Sequence, residues 1–133
     1  MARSIAAVAA GLLTVVVLSL GTDQLFHVLN VYPPWGHPMY ATSLNALALA
    51  YRIVYSVLCG FVTARLAPRA PMRHVTSLAV IGLVAGTLGA IAAITHNLGP
   101  NWYPIALAVT AYPCTWFGGR LGLGTPARVT TPA

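Results

Sequence analysis

Four long apolar stretches, at about residues 5–31, 43–66, 75–95 and 103–121, fix most of what this chain can become. A helix needs roughly 20 apolar residues to cross a hydrocarbon core, and each stretch comes near that length. The segments between them are short and rich in Pro, Gly, Trp and His, which end helices rather than extend them. At 133 residues and 58% hydrophobic, with only 6% charged, the chain carries more apolar side chains than a soluble domain of its size can bury. The expected architecture is therefore all-α: a single integral membrane domain of four transmembrane helices, followed by a flexible tail over residues 122–133.

The first stretch begins behind Arg3 and runs apolar from Ile5 to Leu20, which in outline also describes a secretory signal, with Ser19 and Gly21 as small residues before a cut. The helical pattern continues past that point. Ser19, Asp23, His27 and Asn30 recur at intervals of four, four and three, one stripe of a helix running to about Val31, so a retained span is expected. The second stretch, SLNALALAYRIVYSVLCGFVTARL, sets Asn45, Arg52, Ser56, Cys59 and Thr63 on another polar stripe. Lipid offers polar groups no hydrogen bonds, so the two stripes should face each other. The third stretch holds Gly82, Gly86, Gly89 and Ala90, a small-residue pattern that lets helix backbones touch, within the bundle or between subunits. Pro113 should kink the fourth.

Charge sets the expected orientation. All seven basic residues are Arg, and the formal balance is +6. The densest group, Arg65, Arg69 and Arg73 with His74, lies in ARLAPRAPMRH between the second and third stretches, and Arg3, Arg120 and Arg128 fall on the same side of an alternating four-helix chain. The other two connections, around Pro34 and Gly99, contain neither Lys nor Arg. Basic residues concentrate on the cytoplasmic side, which places both termini inside a bacterial inner membrane and accounts for the arginines without nucleic acid as a partner.

Arg52 stands where a membrane tolerates charge least, and the only carboxylate in the chain is Asp23. If the first connection is centred near His37, residues facing each other across the hairpin have numbers summing to about 75, and these two satisfy that condition. An unpaired charge near the bilayer centre costs on the order of 3 kcal/mol, so an ion pair is expected, with Tyr51 or Tyr55 able to donate to the carboxylate. A buried pair can be purely structural, or the carboxylate can serve as a proton or cation site.

His27 and His96 are expected at similar depth near the outer surface, a placement compatible with axial haem ligation as well as with ordinary interfacial histidines; a zinc site of His27, His96 and Asp23 is conceivable but has no diagnostic spacing. Cys59 and Cys114 fall at comparable distances from the inner ends of their helices, close enough to touch, yet neither belongs to the Cys-x-x-Cys pair that a quinone-linked thiol oxidase needs, so both are expected as free thiols. There is no phosphate-binding Gly-rich loop, no recognisable nucleophile and only one carboxylate for acid and base roles, so no enzyme is expected.

In ALAYRIVYSVLCGFVTARLAPRAPMRH and LGPNWYPIAL above all, the chain resembles uncharacterised small four-helix bacterial integral membrane proteins, a likeness that implies the fold and no activity. In length, four spans and a single carboxylate in the first helix it also resembles small multidrug resistance transporters; it differs in the outer position of Asp23, in Arg52 and in its one-sided arginine distribution. The expected function is that of a small non-enzymatic accessory or structural membrane protein, self-associating or part of a larger complex, with a pocket toward the outer face lined by Asp23, His27, Arg52, Tyr55 and His96. The alternative is a proton-coupled transporter or channel for a small solute using Asp23. A haem or quinone carrier is the third reading.

Overall fold

In the computed structural model residues 1–124 are described; the tail expected to be flexible falls mostly on residues 125–133, with Arg128, outside them. The described residues form four helices and no strand: α1 (Ala2–Val28), α2 (Thr42–Leu66), α3 (Pro71–Thr95) and α4 (Trp102–Gly122). Three of these, α1, α2 and α3, are long and apolar enough to cross a membrane. At 1.5 Å per residue α4 has crossing length too, about 32 Å, but Pro113, Arg120 and its cluster of glycines dilute its apolar character. It continues as helix through Pro113.

The helix ends differ from the sequence expectation for identifiable reasons. α1 stops at Val28, not Val31, because Asn30 adopts a left-handed conformation (φ 57°) and the Val31 amide donates back to the Phe26 carbonyl at 2.9 Å. Asn30 thus closes the helix and is not a member of its polar stripe. α3 ends in the same way, with Asn97 at φ 51° and the Leu98 amide on the Ala93 carbonyl at 3.0 Å. At the opposite end α3 starts a turn earlier than expected: Pro71 occupies its first position, where a missing N–H costs nothing. The α2–α3 connection is only residues 67–70, so the basic cluster straddles two helix ends, with Arg65 in the last turn of α2 and Arg73 and His74 in the first turns of α3.

α4 packs against both α2 and α3, α1 packs mainly against α2, and α1 and α4 do not touch. The interior consists of small side chains such as Ala7, Ala48, Ala64, Ala79 and Ala108, while Leu13, Val17, Leu88 and Val109 are each more than 60% exposed. This inverts the soluble pattern and matches helix association in lipid, where close packing rather than hydrophobic burial holds helices together. The closest approach lies between α2 and α4. A methyl group on Gly60 would collide with the Thr115 carbonyl, one on Gly118 with the Val57 carbonyl, and one on Gly122 would come within 2.8 Å of the Phe61 carbonyl oxygen. Gly82 and Gly86 of α3 face α4 more loosely, at Ala111 and Ala108, and Gly89 faces nothing.

The first and third connections meet at one end of the bundle. The Met39 amide donates to the Leu98 carbonyl at 3.0 Å and the Tyr40 hydroxyl to the Asn97 carbonyl at 3.0 Å. Buried Asn45, at the start of α2, holds this junction by donating to the carbonyls of Met39 and Ala41, both at 2.9 Å.

Candidate ligand pocket at the loop end of the bundle

Asp23 lies just over a turn from the end of α1 and is 7% exposed. One carboxylate oxygen accepts from the Arg52 guanidinium and the other from the Tyr51 hydroxyl, so neighbouring residues of α2 hold both oxygens. The Tyr32 hydroxyl, from the α1–α2 connection, lies 3.0 Å from that of Tyr51. A phenol has one proton, and Tyr51 gives its own to Asp23; Tyr32 must therefore donate to Tyr51, making a directed chain Tyr32 to Tyr51 to Asp23. Burial pushes the Tyr32 hydroxyl above the ordinary tyrosine range, opposed by its bond to Tyr51, so Tyr32 stays a donor at neutral pH. Phe26 packs edge-on against Tyr32, with ring centroids 5.2 Å apart, and fixes the turn in place.

The α1–α2 connection folds back over this network. Trp35 stacks on His27 with ring centroids 3.9 Å apart and planes 7° apart, and its indole N–H donates to Gln24 Oε1 at 3.1 Å. His27 Nδ1 lies 2.6 Å from the Asp23 carbonyl oxygen. A carbonyl only accepts, so in the neutral ring the proton sits on Nδ1 and Nε2 is left as an acceptor.

Between this connection and the helices lies an open cavity of about 400 Å³, within the size range of small-molecule sites. Its polar floor is Asp23 and Arg52; its walls are His27, the run from Tyr32 to His37, Met39, Ala48, Leu98 and Tyr103. The Arg52 Nε is buried without a hydrogen-bond partner. An unmet donor on a guanidinium is costly in a low-dielectric setting.

Of the residues named from sequence, Asp23, His27 and Arg52 line this cavity, whereas Tyr55 and His96 do not. Tyr55 is a turn further down α2, where its hydroxyl lies 2.7 Å from Thr22 Oγ1; the Thr22 proton goes to the Leu18 carbonyl, so Tyr55 is the donor. His96 is the exposed C-cap of α3, and the left-handed turn at Asn97 brings Leu98 to the cavity in its place. His96 is thus not part of the cavity that His27 lines, and among the described residues no three His, Cys, Asp or Glu side chains gather, so the zinc trio is not assembled. Cys59 and Cys114 are both free; Cys59 Sγ donates to the Ser56 carbonyl at 3.0 Å and lies 3.8 Å from Thr115 Oγ1 rather than on Cys114.

Tyr32, Trp35 and Tyr103 also line the cavity and are not among the candidate residues named from sequence. The single available signal for Tyr32 was its place in a Pro-rich connection that must fold back over the sole carboxylate. Comparison with known protein families, curated proteins and solved structures finds no match to this chain.

Proposed function

We propose that the chain is a small accessory protein of the bacterial inner membrane, with both termini cytoplasmic, that holds a small amphipathic ligand in the cavity over Asp23 and Arg52 without catalysing a reaction. The observation that carries this reading is the combination of a saturated carboxylate with an unmet donor. Both Asp23 oxygens are occupied, while Arg52, whose Nε is buried without a partner, lines an aromatic-walled cavity. With the Arg52 charge offset by Asp23, the cavity favours a neutral ligand with a carbonyl or similar acceptor and a flat apolar body that packs on Trp35 and Tyr103. A quinone-like ring meets that description. Bis-histidine haem does not, since His96 is not among the residues that line the cavity.

Orientation and assembly belong to the same proposal. Arg3, Arg65, Arg69, Arg73 and Arg120 gather at one end of the bundle, and the cavity lies at the end whose two connections carry neither Lys nor Arg, supporting an outward-facing pocket. The large apolar surfaces of α1 and α3 suit lipid or a second subunit, in a homo-oligomer or a larger membrane complex.

The test is copurification. Protein isolated from native membranes in mild detergent is extracted and its small molecules compared by mass spectrometry with those from Leu98→Trp, which fills the cavity mouth, and Tyr103→Leu, which removes one wall. A compound enriched with the parent chain and depleted in both variants, at unchanged helix content, supports the reading. Finding no enriched compound in any detergent tried overturns it. A second reading is favoured by the Tyr32 to Tyr51 to Asp23 chain, which could conduct a proton from the loop end: it requires proton-coupled solute flux in liposomes that Asp23→Asn abolishes.

A further inference from the structure

At the end of the bundle opposite the pocket, three recesses converge on one side chain. Arg3 and Ser4 of α1, Pro68 and Arg69 of the α2–α3 connection and His74 of α3 line a cavity of about 420 Å³. Arg69, Arg73, His74 and Ser77 line a second, of about 350 Å³. The third, of about 430 Å³, is an apolar groove running down α1 past Ile5, Val8, Ala9 and Leu12, and it too begins at Ser4 and His74. His74 borders all three recesses. Its Nδ1 lies 3.2 Å from the Ala70 carbonyl, an acceptor, which leaves Nε2 free.

The charge here has no side-chain counterpart among the described residues. The chain has a single acidic side chain, Asp23, and it is committed to Arg52 at the far end. Arg3, Arg69 and Arg73 make no salt bridge among the described residues. Three guanidiniums around recesses without a carboxylate favour an anion with several acceptor oxygens, and a guanidinium fork matches a phosphate. The groove adds a requirement that a free anion does not meet. From Ser4 to Leu12 it descends about 12 Å along a helix apolar enough to cross a membrane, joined at its head to the basic recesses.

We propose that this corner binds one anionic glycerophospholipid, its phosphate among Arg3, Arg69 and Arg73 and one acyl chain in the α1 groove. Recognition of anionic lipid by basic pockets at helix ends follows from the same electrostatics that orient the chain, here given a defined seat. The lipid bridges the start of α1 to the α2–α3 turn, a corner where α1 has no contact with α4 to hold it.

The test uses purified full-length protein and native mass spectrometry with three probes: phosphatidylglycerol, phosphatidylcholine with the same acyl chains, and inorganic phosphate. The expected result is retention of one phosphatidylglycerol and no phosphatidylcholine. Arg3→Gln/Arg69→Gln/Arg73→Gln should weaken retention about a hundredfold. Because loss of these arginines can also disturb insertion, Ala9→Trp provides a second arm: it fills the groove, keeps every charge and should also displace phosphatidylglycerol. Equal retention of phosphatidylcholine, or no retained lipid, overturns the proposal. Inorganic phosphate binding that persists in Ala9→Trp, with no preference for phosphatidylglycerol in the parent chain, overturns it in favour of a free-anion site.

Discussion

Asp23 answers to two donors of unequal character, and that inequality predicts a graded response to substitution. Asp23→Asn leaves the Arg52 charge without its partner, and breaking one side of a buried pair costs about 3 to 5 kcal/mol; Arg52→Gln strands the carboxylate to similar effect. The double variant has no charge to desolvate and should recover much of the loss, so thermal melts in detergent should give clearly non-additive values. Additive losses would mean that the two side chains act independently. Tyr51→Phe removes a hydrogen bond to a charged group and leaves the Tyr32 proton without an acceptor, so it should cost about 1.5 to 3 kcal/mol, against roughly 1 kcal/mol for Tyr55→Phe, whose Thr22 partner is neutral. If the two tyrosine variants melt alike, the directed chain of hydroxyls is wrong. The ion pair was legible in sequence because a lone carboxylate and a lone mid-span arginine leave each other no alternative. The choice of Tyr51 over Tyr55 was not, since each lies within a turn of Arg52 and only the detailed rotation of α2 against α1 separates them.

For the helices, the instructive contrast is between two sets of glycines. Those of α3 stood out in the sequence because they interrupt a uniformly apolar run, yet Gly89 faces open space and Gly82 has only ordinary contact with Ala111. The glycines that matter most for packing between α2 and α4 are Gly60, Gly118 and Gly122, where helix backbones meet, while Gly119 closes on the Val75 side chain of α3. They were harder to read because the α4 set lies at the end of the last apolar stretch, beside Arg120, where glycine also marks a helix stop. Side chains on that seam would have to push backbone aside, whereas a side chain on Gly89 extends outward. Gly118→Leu should therefore destabilise the bundle by at least about 1 to 3 kcal/mol, the usual range for overpacking, and Gly60→Leu should behave the same way. Gly89→Leu should change the melting temperature little, or raise it slightly through better helix propensity. Equal sensitivity at Gly89 would place a partner on the outer face of α3 and move the critical contact from within the chain to between chains.

For the molecule as a whole, the two ends of the bundle are chemically opposite, and this asymmetry yields the most direct test. One end gathers the start of α1, the α2–α3 turn and the end of α4, with five arginines from Arg3 to Arg120; the other carries the two connections without Lys or Arg, tied together through Met39 and Leu98. The number of helices and the alternation of their ends were readable from stretch lengths and connection composition. How the helices pair was not, because periodicity shows that a face is polar or small without showing which neighbour it meets; so α4 contacting α2 and α3 but not α1 emerged only from the fold. Orientation can be read with single cysteines in a Cys59→Ala/Cys114→Ala background. Ala70 is exposed in the four-residue turn and already left-handed, so Ala70→Cys keeps the local geometry. At the other end, the Gly99 backbone abuts the Met39 carbonyl and Gly36 has φ 86°, which makes exposed His37 and Asn101 better reporter positions. In intact cells a membrane-impermeant maleimide should modify His37→Cys and Asn101→Cys and spare Ala70→Cys, which should react once the membrane is opened. Because His37 follows α1, Ala70 follows α2 and Asn101 follows α3, the three positions together report the crossing of each of these helices. Labelling of His37→Cys without Asn101→Cys would leave α3 and α4 on the inner side and break the shared loop end on which the pocket depends. Labelling of Ala70→Cys alone would invert the whole protein, turning the pocket toward the cytoplasm and the arginine corner toward the outer leaflet.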